Sequence, residues 1–493
     1  MPGINDSETI TPTVFTDLST IVLPVPITNK PLLPVGINQR NQTIQVYDPS
    51  YVNPYIQNFN LSATRNVRRN VTVDVRWVAT RGTKLTGNLA LNQVNYLTNG
   101  LLEALEITRA GGNAPLFDQM FKGINISGAG TTPVGGSVGG VVQTGSMQLR
   151  NNTTFRTNIA NGNYAGVAAS LNTLNYVAAQ NPGLPVVPSG IAGSVLRFSG
   201  LFPENFIVNN PQFSGVQYNT NVGNSIYHSL QTSVTLRPTS GISYQGTYSF
   251  QKGLEGGSSG FLNVTDRSLN RGIQDSSRKH DFRLNGTFEL PFGPNRWILG
   301  NSSGVLARAI EKWQLSAILN MRSGQPLSIT GTNTYIGGGR PDVVGPINFL
   351  KHGKAHMTST LPNYYPDGVF AFPDDPQCAA VTVLQTTQAS CSNNALAAAE
   401  NGQLLVVNSK PGKLGNLGDG AIFGPGDFRF DLSASKAFRL SESMSAQIRI
   451  DGQNVLNHPI LGNPNLNING NTFGQITTVT GARKFQGQLR LTF

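Results

Sequence analysis

Hydrophobic and polar positions alternate along 484–493: Phe485, Gly487, Leu489, Leu491 and Phe493 hold one set, Gln486, Gln488, Arg490 and Thr492 the other. Successive strand side chains point to opposite faces, so the stretch predicts a strand with one apolar and one polar face. About 9–11 residues suffice to cross a bilayer when the strand is tilted. The ring of Phe493 is then expected at a membrane interface. An edge strand of a soluble sandwich reads the same way in isolation, so recurrence of the pattern decides.

It recurs. Phe59, Leu61 and Ala63 alternate with Asn58, Asn60, Ser62 and Thr64; after a turn at 65–69, Val71, Val73, Val75, Trp77 and Ala79 alternate with Thr72, Asp74 and Arg76. In 225–237, Ile226, His228, Leu230, Val234 and Leu236 oppose Gln231, Ser233, Thr235 and Arg237, with one phase slip near the middle. Four further strands are expected at 242–251, 281–290, 313–322 and 428–435, and another at 444–451 follows the turn Ser441-Glu442-Ser443. Asp, Arg and Glu recur on the polar face, and aromatics lie near the ends of the apolar one. Sandwich strands are commonly shorter, about five or six residues. The expected fold is therefore all-β, an antiparallel transmembrane β-barrel.

The connections supply an independent test. Those at 65–69, 238–241 and 440–443 are short, 291–311 is intermediate, and 82–223, 252–279, 324–426 and 457–483 are long. Membrane barrels have short periplasmic turns and long external loops. Counting back from Phe493 puts every short turn on the periplasmic side and residues 1–51 outside. Those 51 residues, broken by Pro24, Pro26, Pro31 and Pro34, read as an irregular extracellular segment. Residues 52–493 read as about 9–11 strands of a larger barrel, with long loops at 82–223 and 330–425; within the first, 101–109 and 167–179 are plausible helices. No signal peptide opens the chain. Single-chain barrels usually have an even strand number, so the expectation is the C-terminal part of a longer product.

Composition sharpens this picture. Of the 493 residues only 12% are charged and 55 are Gly, which suits a wall meeting lipid on one face. No apolar run approaches the roughly 18 residues of a transmembrane helix. The net charge is +11, but the Lys and Arg are scattered, the nearest thing to a cluster being Arg65-Asn66-Val67-Arg68-Arg69, so nucleic acid is not an expected partner. A basic lumen or anionic lipid headgroups account for the charge better. Cys378 and Cys391 are the only cysteines, with no His nearby, and read as a loop-closing disulfide of an oxidising compartment.

Several stretches resemble the barrel region of TonB-dependent receptors, closest to the Oar-like group abundant in Acidobacteria, whose members carry a carboxypeptidase-regulatory-like domain. They are Thr247-Tyr248-Ser249-Phe250-Gln251-Lys252; Arg278-Lys279-His280-Asp281-Phe282-Arg283, running on to Glu289-Leu290-Pro291-Phe292-Gly293; and Ser323-Gly324-Gln325-Pro326-Leu327. Gly424-Pro425-Gly426, Asp431-Leu432-Ser433 with Lys436, Asn454-Val455-Leu456-Asn457-His458-Pro459 with Gly462-Asn463-Pro464, and Phe473-Gly474-Gln475-Ile476 complete the set in family order. The resemblance implies an outer-membrane barrel of 22 strands, a plug domain and a periplasmic energy-coupling protein. The expected partners are outer-membrane lipid, an unidentified ligand, and the barrel-assembly machinery, which would read the terminal strand through Phe485, Leu489, Leu491 and Phe493.

Candidate chemistry is sparse. No catalytic constellation or cofactor pattern is present, so no enzyme is expected. His352-Gly353-Lys354-Ala355-His356 lacks a carboxylate and reads as a solvated loop; Gly337-Gly338-Gly339-Arg340 lacks the Lys-Ser/Thr of a phosphate loop. Arg283, Arg322, Arg429, Asp431, Arg449 and Asp451 face the expected lumen, where they would contact an anionic solute or, as the plainer reading, bridge neighbouring strands. The leading function is uptake of a glycan, metal chelate or peptide. The alternatives are a barrel-anchored adhesin that binds through its long loops and a soluble sandwich lectin.

Overall fold

A computed structural model describes residues 40–493 apart from 129, 131, 188–191, 258–260, 352, 359–360 and 441–442. Its main sheet has eleven strands among the described residues, nine of them an antiparallel meander, with the short strands Gln42–Tyr47 and Arg271–Ile273 paired off that path. The nine are β1 (Tyr55–Arg68), β2 (Val71–Ala90), β3 (Phe213–Thr239), β4 (Ile242–Gly256), β5 (His280–Glu289), β6 (Trp313–Arg322), β7 (Asp427–Arg439), β8 (Ser445–Gln453) and β9 (Lys484–Thr492). Each pairs with its sequence neighbours, so β1 and β9 are the two edges, and both are exposed along their whole length.

Register keeps one face apolar across the sheet. Ala63 lies opposite Val75, Trp77 opposite Leu230, Phe250 opposite Leu230, and Tyr248 opposite Phe282. Leu284, Leu319 and Phe430 then form one row, and Ile448 meets Leu489. A one-residue slip anywhere would turn that strand's apolar set to the polar side. No slip occurs in 224–236, where pairing with β4 is continuous; Thr232 simply sits among apolar neighbours opposite Tyr248, contrary to the phase break read from the sequence. The β3–β4 turn shows why tight register holds. Ser240 and Gly241 both have positive φ (50° and 81°), the pair a two-residue hairpin loop of matching twist requires.

Three boundaries differ from expectation. The first strand runs on through Arg68, past a register shift between Asn66 and Arg68, so the turn is shorter than 65–69. β2 and β3 have 20 and 27 residues, well beyond the length of a membrane crossing, and their upper ends pair irregularly around Leu85 and Gly87. Gln42–Tyr47, expected to be irregular, is a strand lying parallel to 213–219 of β3. These pieces make a stalk above the sheet. Residues 1–39, with their prolines, and 441–442 of the expected turn lie outside the described residues.

The buried core is in the connections. The β2–β3 insertion folds into helices α1 (Leu101–Arg109), α2 (Pro115–Met120), α3 (Gly145–Asn151), α4 (Thr153–Asn161), α5 (Tyr164–Thr173) and α6 (Ser194–Ser199). In α1, Leu101, Ala104, Leu105 and Thr108 are buried at the spacing of one helical face. The Asn152 side chain caps α4 by accepting from the Thr154 and Phe155 amides. A second apolar cluster joins the β6–β7 connection (Tyr365, Leu396, Val406, Ile422) to the β8–β9 connection (Ile468, Phe473, Ile476).

The Ser-Gly-Gln-Pro and Gly-Pro-Gly stretches meet where β6 ends and β7 begins. The Gly424 amide donates to the Gln325 carbonyl at 2.8 Å. A Cβ built on Gly324 would lie 1.7 Å from the Gly424 carbonyl oxygen, backbone that cannot swing away. Gly324→Ala is therefore expected to lower stability by about 2 kcal/mol, read as an earlier thermal transition.

Candidate ligand-facing surface

Polar-face side chains come from alternate positions of β4–β9, and the arginines of β5–β8 are paired in a regular way. Arg283 donates to Asp281 through Nε (2.9 Å) and Nη2 (2.8 Å), Arg429 Nε to Asp431 (3.0 Å), and Arg449 Nε to Asp451 (2.8 Å). All three pairs lie two residues apart on one strand, not across strands as the sequence suggested. A guanidinium on its long stem reaches the next same-face residue, while the cross-strand partners of Arg283 and Arg449, Asn320 and Gln488, offer no carboxylate. Only Arg322 bridges strands, donating to Asp427 at 2.9 Å from its registered position. In these four pairs the carboxylates are the more covered partner (14–34% exposed, against 42–59% for the guanidiniums). Exposed pairs of this kind contribute little stability, about 0–1 kcal/mol each. They leave a hydrated wall with guanidinium edges outward, able to pass or weakly hold a polar solute. Asp431 also accepts the Asn454 amide at 2.7 Å, so it anchors the turn after β8. Asn454 is itself buried, and its side chain holds the His458 amide at 3.1 Å and carbonyl at 2.8 Å, which is a structural role.

All four long connections meet in one cap at the upper end of the sheet. Arg150 of α3 donates to the Thr108 and Gly112 carbonyls (3.1 and 2.8 Å) and to Gln385 of the β6–β7 connection (2.7 Å). Arg109 reaches the Gln377 carbonyl at 3.3 Å, and the Tyr96 hydroxyl donates to the Thr334 carbonyl at 3.1 Å. Gln93 holds the β4–β5 connection by accepting the Val264 amide at 3.0 Å, and Asn469 brings in the β8–β9 connection by accepting the Asn394 amide at 2.9 Å. Burial pushes the Tyr364 hydroxyl up to about 12 and drives Tyr96, Tyr164 and Tyr365 higher still, so none of these phenols titrates near neutrality. No group of three or more potential metal ligands exists among the described residues.

Cys378 and Cys391 are bonded, with Cα atoms 5.6 Å apart, and close a short loop inside this cap. Replacing both by Ser is expected to cost about 3 kcal/mol locally. Proteinase K should then cut within 376–391 while the sheet stays protected. Sequence reasoning missed the cap, because its core residues are scattered over four connections with no common period. In the segment read as a solvated loop, Lys354 is exposed and, with Gly353 and Ala355, lines a cleft against the strand ends; His352 lies outside the described residues. Gly337–Gly339 also pack closely, against Leu262 and Thr332.

Among solved structures the chain is similar to the outer membrane transporter YddB from Escherichia coli (9% identity, TM-score 0.34, 92% of this chain and 34% of that one). It is also similar to P. aeruginosa FpvA bound to heterologous pyoverdines (4%, TM-score 0.27, 89% and 27%) and to the FpvAI–pyocin S2 complex (5%, TM-score 0.28, 89% and 26%). The chain thus spans about a third or less of the length of these solved proteins. No curated protein matches it. The family model for an outer membrane beta barrel domain matches residues 2–486, nearly the whole chain. By that match, and with an antiparallel sheet apolar on one face and polar on the other, the chain belongs to the outer membrane beta barrel domain family and resides in the outer membrane.

Proposed function

We propose that the chain is the C-terminal barrel portion of an Oar-like TonB-dependent receptor, which binds an organic ligand outside the cell and passes it inward without acting as an enzyme. The observation that carries this reading is the fusion of four external connections into one packed cap at the upper end of a wall whose polar face carries paired charges on β5–β8. A cap with its own core presents a fixed surface for recognition, and the polar face offers a hydrated route. Ligand choice belongs to the cap, uptake to a periplasmic energy-coupling protein, and membrane assembly to the exposed apolar residues Phe485, Leu489, Leu491 and Phe493 of the terminal strand.

Deleting the gene in its source bacterium tests this on a panel of glycans, metal chelates and peptides supplied as sole nutrient. Growth on at least one member should fail, and inactivating the energy-coupling protein should reproduce that failure. Unchanged growth on every member, with loss of attachment to a surface or to other cells, would instead establish an adhesin.

A further inference from the structure

Facing the bilayer side of the rim is a cleft of about 610 Å³, where Gly353, Lys354, Ala355, Met357 and Tyr364 of the cap meet the upper ends of β5, β6, β7 and β8. Three of its groups are tied to the apolar, lipid-facing side of the sheet. His280 stands in phase with Phe282, and its Nδ1 lies 2.8 Å from the Tyr248 hydroxyl. The Lys279 ammonium sits 5.8 Å from the centre of the Phe250 ring, and the His458 ring packs edge-on to Phe428 with centroids 5.4 Å apart. Lys354 reaches in from the cap, and Met357 and Leu461 supply apolar surface. No Asp or Glu occurs among the described lining residues. The carboxylates next in sequence to lining residues, Asp281 and Asp427, are held by Arg283 and Arg322 on the opposite face, with Arg278 also 3.9 Å from Asp427. The arginines of β5–β8 on the polar face are thus paired, while the described lining of the outer rim carries two lysines and two imidazoles and no carboxylate.

We propose that this cleft binds the phosphorylated headgroup of an outer-leaflet glycolipid. Position argues for a lipid over a free anion: His280, level with Phe250, stands just above the row of Tyr248, Phe282, Met321 and Phe428, where headgroups lie when that row meets acyl chains. Chemistry argues for phosphate, since lysine ammoniums and imidazole N–H groups are donors suited to a multiply charged acceptor. The aromatic undersides fix Lys279 and His458 in place, which limits the entropy lost on binding.

Full-length protein in detergent, titrated with lipid A and followed by native mass spectrometry, provides the test. One lipid A should bind tightly, and lipid A stripped of its phosphates at least tenfold more weakly. Lys279→Gln with Lys354→Gln should weaken lipid A binding by roughly tenfold, while Arg308→Gln, far from the cleft, should change nothing. Both lysines are exposed, so the double variant is expected to fold, and its heat-modifiable mobility on gels checks this. Equal binding of the phosphate-free lipid, equal binding by the double variant, or displacement by millimolar inorganic phosphate would each overturn the proposal.

Discussion

Leu319→Arg is expected to abolish stable insertion, whereas Ile318→Arg, one residue earlier at the same height, is expected to leave it intact. Leu319 lies between Leu284 of β5 and Phe430 of β7 on the face assigned to lipid. An arginine near the bilayer midplane on that face costs about 2–4 kcal/mol. The lost packing against Phe430 and Leu284 adds to this. Ile318 lies between Asn285 and Asp431 on the polar face and is 49% exposed, so a guanidinium there meets water and a carboxylate. Outer-membrane fractionation with heat-modifiable gel mobility reads both variants. A reversed result would exchange the two faces, and indifference to both would take the sheet out of the bilayer.

Asp375→Ala is expected to unfold the cap while sparing the sheet. Asp375 is 1% exposed and accepts from the Gln377 amide (2.9 Å), the Asn408 amide (2.7 Å) and the Asn408 side chain (3.0 Å). Asn408 in turn donates to the Asn394 carbonyl and Asn469 side chain (3.0 and 2.9 Å) and accepts the Thr332 amide (2.7 Å). Asn393 extends the chain of contacts to the Asn161 carbonyl of α4 at 2.9 Å. Truncation strands two backbone amide donors, of Gln377 and Asn408, at about 1–3 kcal/mol each, roughly 4 kcal/mol together, while the Asn408 side chain keeps its other acceptors. Asp375→Asn, which keeps shape and one acceptor, should lose about half as much. Amide exchange separates the outcomes: protection should fall across 332–409 and 465–476 and persist in β5–β8. Global loss of protection would mean that cap and sheet fold as one unit.

The sheet was legible in the sequence because each strand must satisfy lipid on one side and water on the other, and that demand writes a period of two into residues such as 281–289 and 313–321. It was least legible where the demand ends. Above the membrane β2 and β3 continue through Gly82, Gly87 and Gly223, where side chains carry no alternation, and Gln42–Tyr47 joins as a parallel strand with no turn to announce it. Helix α1 was legible from its own spacing, whereas α3 and α4 lean on Arg150 and on packing from other connections, which local pattern does not encode. The pairing on the charged face was not legible, because whether Arg429 turns along its strand or across depends on register, which alternation does not supply.

The two edges of the sheet have a directional consequence. Counting a meander of nine strands, β1 and β9 run the same way, both descending from the cap end. If they met each other the seam would be parallel, with slanted bonds and weaker pairing per residue. An all-antiparallel closure instead admits only an odd number of intervening strands. One ascending strand, or thirteen that begin and end ascending, can close it, whereas a second copy inserted the same way up begins and ends with descending strands and would meet both edges in parallel. A polypeptide that seals it must also enter and leave on opposite sides of the membrane.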